Sequence, residues 1–168
     1  MTSQAKEPRQ NPTGVVLARP HRLIIGPMQN ILRRNGFSPI AINKGSELNT
    51  LEKDQIAAAV ISTAVVSPVS LSYEQVYARV RNAFGSLPVL FATMMDVDIA
   101  CKVIARETQK TDACPVKPLG EAVIGNDTTV AVVSKTELIK DEQTGALDAH
   151  LKTFFTSAAK ESQKLTFT

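Results

Sequence analysis

No tryptophan occurs in this chain, and aromatic residues make up only 5% of its 168 positions, so the stacking platforms that RNA or single-stranded DNA needs are poorly supplied. Cysteine is scarce too. Cys101 and Cys114 sit inside apolar stretches without metal-ligand spacing, which reads as two buried, reduced thiols and not as a disulfide framework or a zinc site. The opening MTSQAKEPRQNPTG has no apolar h-region, and no run approaches the roughly 18 apolar residues of a bilayer span. A cytoplasmic protein without a membrane partner is therefore expected. Gly26-Pro27 lacks the G-x-G-x-x-G and Walker spacings that let backbone amides cradle a pyrophosphate. Ser62, Ser67, Ser70 and Ser72 lack a G-x-S-x-G elbow and read as capping or solvated loop residues. His21 and His150 stand apart from any cysteine or acidic cluster, which leaves no metal site. The net charge of +3 is no nucleic-acid footprint, and Arg79, Arg81, Lys102 and Arg106 read as solvated helix faces.

What is present is an ordinary globular composition, 43% hydrophobic and 21% charged, in a chain long enough for one core with tails. Pro8, Pro12, Gly14 and Pro20 mark residues 1–20 as a flexible tail, in which only Val15 to Leu17 have the apolar character to dock as a strand. The domain is expected over 21–160, with 161–168 as a second tail. Leu23 to Ile25 reads as a first buried strand, followed by a helix over 27–35 that Gly36 stops. A strand over 38–42 and a brief helix capped by Ser46 come next. Residues 56–61, IAAAVI, form a third strand. Ser72 with Gln75 makes a capping box for a helix over 73–84, with Val76, Val80, Ala83 and Phe84 as its buried stripe. PVLFAT at 88–93 is the fourth strand, and Asp96 caps a helix carrying Ile99, Ala100, Val103 and Ile104. Residues 113–116 are the fifth. After Pro118 the rhythm breaks: 121–124 and 128–133 suit a hairpin, before Ser134 and Glu137 open a second capping box. Gly145 separates two helical pieces, and Leu147, Leu151, Phe154 and Ala158 give the last one its stripe. Strands alternating with helices imply an α/β domain: a doubly wound, five-stranded parallel sheet with an extra segment before the C-terminal helix.

With Thr93 ending the fourth strand and Lys117-Pro118 following the fifth, residues 22–118 resemble the receiver domain of bacterial response regulators, a flavodoxin-like fold. In that family the first strand ends in an acidic pair, the third in the phosphoacceptor Asp, the fourth in Ser or Thr, and the fifth in Lys-Pro. Only the last two match. The resemblance therefore implies a degenerate phosphorylation site at Gly26, Pro27, Ser62, Thr63, Thr93 and Lys117. Phosphoryl transfer needs an anionic nucleophile and a divalent metal, and a neutral Ser62 or Thr63 hydroxyl with no acidic pair supplies neither. The resemblance thus implies no enzyme, no catalytic residue, no metal and no cofactor. It implies a phosphorylation-independent receiver-like protein-interaction module in bacterial signalling or transcriptional regulation. Its partner is another protein or a second copy in a homodimer. The contacts are expected over 96–118 and the C-terminal helix, with Leu147, Leu151 and Phe155 as partner-binding residues. Two alternatives stand beside it: the receiver part of a DNA-binding response regulator, which reaches nucleic acid only through an additional domain, and a small-ligand sensor using the switch-point crevice between Gly26 to Met28 and Ser62 to Ser67. Asp96 and Asp98 are spaced for a cation but read as helix caps.

Overall fold

A computed structural model describes residues 12–112, 114–125 and 130–156. Short apolar runs build a six-stranded sheet: β1 (Gly14–Arg19), β2 (Ser38–Ala41), β3 (Ile56–Ser62), β4 (Val89–Thr93), β5 (Val116–Pro118) and β6 (Val130–Ser134). Their order is β2-β1-β3-β4-β6-β5, and every neighbouring pair is parallel. The four inner strands are buried along their whole length while β2 and β5 are partly exposed, as unbroken Val, Ile and Ala runs require when both sheet faces are covered. Gly14 has no room for a side chain, since a Cβ there would lie 2.6 Å from the Gln55 carbonyl oxygen.

Alternation along the strands divides the core in two. Val15, Leu17, Val60, Leu90 and Val133 face one layer, formed by α1 (Arg22–Arg34), α4 (Leu119–Gly125), α5 (Lys135–Thr144) and α6 (148–156). Val16, Ile61, Phe91 and Val132 face the other, formed by α2 (Tyr73–Phe84), α3 (Val97–Thr108) and a 3-10 turn at Gly45–Thr50. The helices begin and end where their polar termini demand. Ser72 Oγ accepts from the Gln75 amide, and Gln75 Oε1 accepts from that of Ser72. Ser134 and Glu137 repeat the pattern for α5. Gly85 and Gly145 close α2 and α5 at positive φ.

Two polar networks lock the layers. Arg34 on α1 donates to Asp141 and Asp148, and buried Asp141 also accepts from the Leu147 amide at 2.7 Å. The Arg34 and Asn35 side chains hold the Asp148 carboxyl below its ordinary range. On the other face the Tyr77 hydroxyl donates to Asp112 at 2.8 Å, and Arg81 Nε reaches the same carboxylate.

Several expectations are corrected. Val15 to Leu17 belong to β1, second in from the β2 edge, so residues 14–19 are part of the sheet and not of a tail; residues 1–11 and 157–168 lie outside the described residues. Leu23 to Ile25 are helical, in the first turns of α1, because His21 caps that helix and Ile24, Met28, Ile31 and Leu32 complete a buried stripe at helical spacing. The expected hairpin is instead a helix followed by a sixth parallel strand, β6, which inserts between β4 and the fifth strand. The sheet thus has six strands, and β5, shifted to Val116–Pro118, lies at the edge. Residues 113 and 126–129 of those expected strands and turn lie outside the described residues. Ile99, expected at a core position, is 57% exposed and lies outside both buried clusters. Leu147, Leu151 and Phe155, expected to bind a partner, are buried in the α1 layer; Phe155 meets Phe37 edge-on with ring centroids 5.3 Å apart. The α6 stripe belongs to the same buried cluster as residues of α1, α5 and the sheet.

Leu17→Ala should lower unfolding free energy by about 2–5 kcal/mol through lost burial and a cavity, and Phe155→Asp should abolish folding. Chemical denaturation checks both, and a near-parental midpoint for Leu17→Ala would contradict the placement of β1 inside the sheet.

Candidate functional site at the C-terminal edge of the sheet

In an open parallel sheet, ligand-binding crevices lie beyond the C-terminal ends of the strands, where the winding direction reverses. Here the chain passes from β1 outward to β2 and then back across to β3, so the reversal falls between β1 and β3. The inner strands end in polar residues: Arg19, Ser62, Thr93 and Ser134, all buried. Each hydroxyl starts a turn. Ser62 Oγ accepts from the Ala64 amide at 3.1 Å, Thr93 Oγ1 from the Met95 amide at 3.0 Å, and Ser134 Oγ from the Glu137 amide at 3.1 Å.

Arg19 is the unusual member, a buried residue only 5% exposed whose guanidinium has no carboxylate bonded to it among the described residues. Backbone carbonyls satisfy it instead. Nη1 donates to Ser62 O at 2.8 Å and to Ala64 O, Nη2 to Val65 O at 3.3 Å, and Nε to Leu71 O at 2.9 Å. Burial holds its pKa below the ordinary arginine value. Ser67 Oγ, donating to Pro20 O at 2.7 Å, adds a second tie between the β1 end and the loop after β3.

These ties shape one wall of an open crevice of about 740 Å³. Its lining comes from Pro20 to Leu23 and Ile25, from Ala41 at the end of β2 and Asn43 beyond it, and from Val66 to Pro68. A small void between α1 and the sheet, bordered by Arg19, Ile24 and Met28, shares Pro20, His21 and Ile25 with it. His21 Nδ1 accepts from the Leu23 amide at 3.2 Å, which leaves Nε2–H as its donor. The opposite flank of the edge, around Met94 to Asp98 and Glu137, is acidic. Its carboxylates work as caps: Asp96 Oδ1 accepts from the Asp98 amide, and Glu137 Oε1 from that of Ser134.

The six degenerate-site positions are not assembled. Gly26 and Pro27 lie within α1, beyond the strand end that Arg19 occupies. Ser62 and Thr93 end adjacent strands, and Thr63 extends that ladder by donating its amide to Ala92 O. Lys117 sits on edge strand β5 opposite Ala131, with β6 between it and β4. Ser134 stands opposite Thr93 in its place. Of the expected crevice segments, only the Val66 and Ser67 end of the serine loop lines the opening, whereas Met28 borders the void beneath. Leu147, Leu151 and Phe155 are remote from surface chemistry because they are buried. Cys101, half-buried on α3, has its thiol pushed up to about 11 by burial first and then by Asp98, Glu121 and Glu137, which keeps it protonated near neutrality. Among the described residues no group of three or more His, Cys, Asp or Glu is placed to hold a metal ion, and no helix is long and apolar enough to cross a membrane.

Sequence reasoning missed Arg19, which the reading above places in the tail. The available signal was a lone arginine closing the apolar run GVVLA immediately before a proline.

Because the ends of β1 and β3 carry no carboxylate, acetyl phosphate with Mg²⁺ should leave the chain unmodified, and intact-mass measurement should show the parent mass alone. A phosphate adduct abolished by replacing a single aspartate would contradict this account of the edge. No protein-family model matches this chain, and neither does any curated protein or solved structure.

Proposed function

We propose that the chain is a receiver-like interaction module that works without phosphorylation and associates with a second copy of itself through the C-terminal edge of its sheet. The observation that carries this reading is where exposed apolar side chains gather. Seven large ones are exposed among the described residues, and six of them, Leu23, Val65, Val66, Met94, Met95 and Ile99, stand on the loops and first helical turns at that edge. Val65 is 94% exposed and Val66 73%. Scattered apolar residues are normal on a soluble surface, but a grouping on one edge marks a contact surface.

Charge supports a second copy as the occupant. The β1 flank carries Arg22, and the β4 flank carries Asp96 and Asp98, all exposed. Strand β3, whose loop holds Val65 and Val66, lies between β1 and β4. A two-fold axis through that loop lays the basic flank of each copy on the acidic flank of the other, with apolar residues at the centre. The receiver resemblance adds a setting, bacterial signalling or transcriptional regulation, in which such modules act by contact.

The chain should sediment as a dimer at micromolar concentration and dissociate as salt rises. Val65→Asp should yield monomers with a melting temperature close to that of the parent, since a charge at a fully exposed position changes stability by only about 0.5 kcal/mol. A monomeric parent, or a Val65→Asp variant that still dimerises, would overturn the reading.

A further inference from the structure

The crevice at the β1/β3 reversal shares Arg22, Leu23 and Val66 with the surface proposed for self-association, so a ligand seated there and a second copy would compete for it. Its volume, about 740 Å³, falls within the range of small-molecule sites. Its walls are mainly apolar, from Leu23, Ile25, Val66 and Pro68, and no carboxylate lines it among the described residues. Its charged or titratable groups are Arg22 and His21. Arg22 is exposed and forms no ion pair among the described residues, and His21 keeps one ring N–H to donate. Behind them the buried Arg19, bonded only to carbonyl oxygens, adds a positive charge that no bonded anion offsets. Positive charge at one side of an apolar opening selects molecules that are anionic at one end and apolar along the rest.

We propose that this crevice binds a small amphiphilic carboxylate, its head group at Arg22 and His21 and its hydrocarbon part against Leu23, Ile25, Val66 and Pro68. The guanidinium supplies charge-assisted hydrogen bonds that a neutral head group cannot match, and the hydrocarbon part supplies the apolar burial that a bare anion lacks. Both halves are required.

Isothermal titration of the full chain with octanoate, octanol and acetate tests this directly. Octanoate should bind, octanol should bind roughly ten- to a hundredfold more weakly, and acetate should give no heat at the same concentrations. Arg22→Gln should reduce octanoate affinity to that of octanol while leaving octanol unchanged, and Arg22→Lys should recover part of the difference. Val65→Asp, outside the crevice lining and expected to be monomeric, should bind octanoate at least as tightly as the parent, which separates ligand binding from self-association. Equal affinity for octanoate and octanol, an Arg22→Gln variant that binds octanoate undiminished, or no binding of octanoate at all would overturn the proposal. Capture by anionic phospholipid vesicles without octanoate binding would overturn it in favour of a membrane surface.

Discussion

A guanidinium at the end of β1 has been taken out of water and given four backbone carbonyl oxygens in exchange. Burying such a charge costs several kcal/mol even after the protein relaxes, and a carboxylate would be the usual remedy. None is bonded to Arg19 among the described residues. Its planar fork donates instead to residues 62, 64, 65 and 71, and hydrogen bonds from a charged donor contribute about 1.5–3 kcal/mol each. The loop after β3 is thereby gathered around one side chain. That gathering turns Val65 and Val66 outward and sets Val66 to Pro68 as one wall of the crevice. Lysine could not substitute, because a point charge on a flexible stem lacks the fork that spans carbonyls on both sides of the loop.

The consequences for chemistry follow from which residue types end which strands. Strands β1 and β3 end in Arg19 and Ser62 and not in carboxylates, so the charge at their junction is positive. Strand β6 lies between β4 and β5, so Lys117 stands at the sheet edge and Ser134 beside Thr93. On the far flank Asp96 and Glu137 cap α3 and α5, while Glu47 on the near side accepts the Asn43 and Lys44 amides after β2. The edge is therefore polarised, basic over β1 and acidic over β4 and β6, and that polarity underlies both the proposed pairing of copies and the proposed anionic ligand.

Legibility in the sequence depended on how many independent signals coincided. Helix α2 was plain because Ser72, Gln75, the Val76 and Val80 spacing and Gly85 agree on both ends, and the same holds for α5 between Ser134 and Gly145. Strands β3 and β4 were plain as unbroken apolar runs. Leu23 to Ile25 failed because three apolar residues fit either period, and Pro27 suggested a helix start although it lies six residues into α1. Strand β1 was hidden by the prolines around it and by the charge of Arg19. Residues 119–125 form only two helical turns, too short for periodicity to distinguish from a strand. In the candidate site, Asp96 as a cap and Ser67 as a crevice residue were within reach. Arg19 was not, since its partners are carbonyls up to 52 positions away that carry no residue-type signature.

The direct test of Arg19 as organiser is amide hydrogen exchange in an Arg19→Met variant, which keeps the length and burial of the side chain and removes the fork. The account predicts that the amides of Ala64 and Val69, bonded in the parent to Ser62 Oγ and Ser67 Oγ, lose protection by about tenfold or more, one lost charged hydrogen bond being worth at least that factor, while those of β3 and β4 exchange at the parental rate. Unchanged protection throughout residues 63–71 would contradict it.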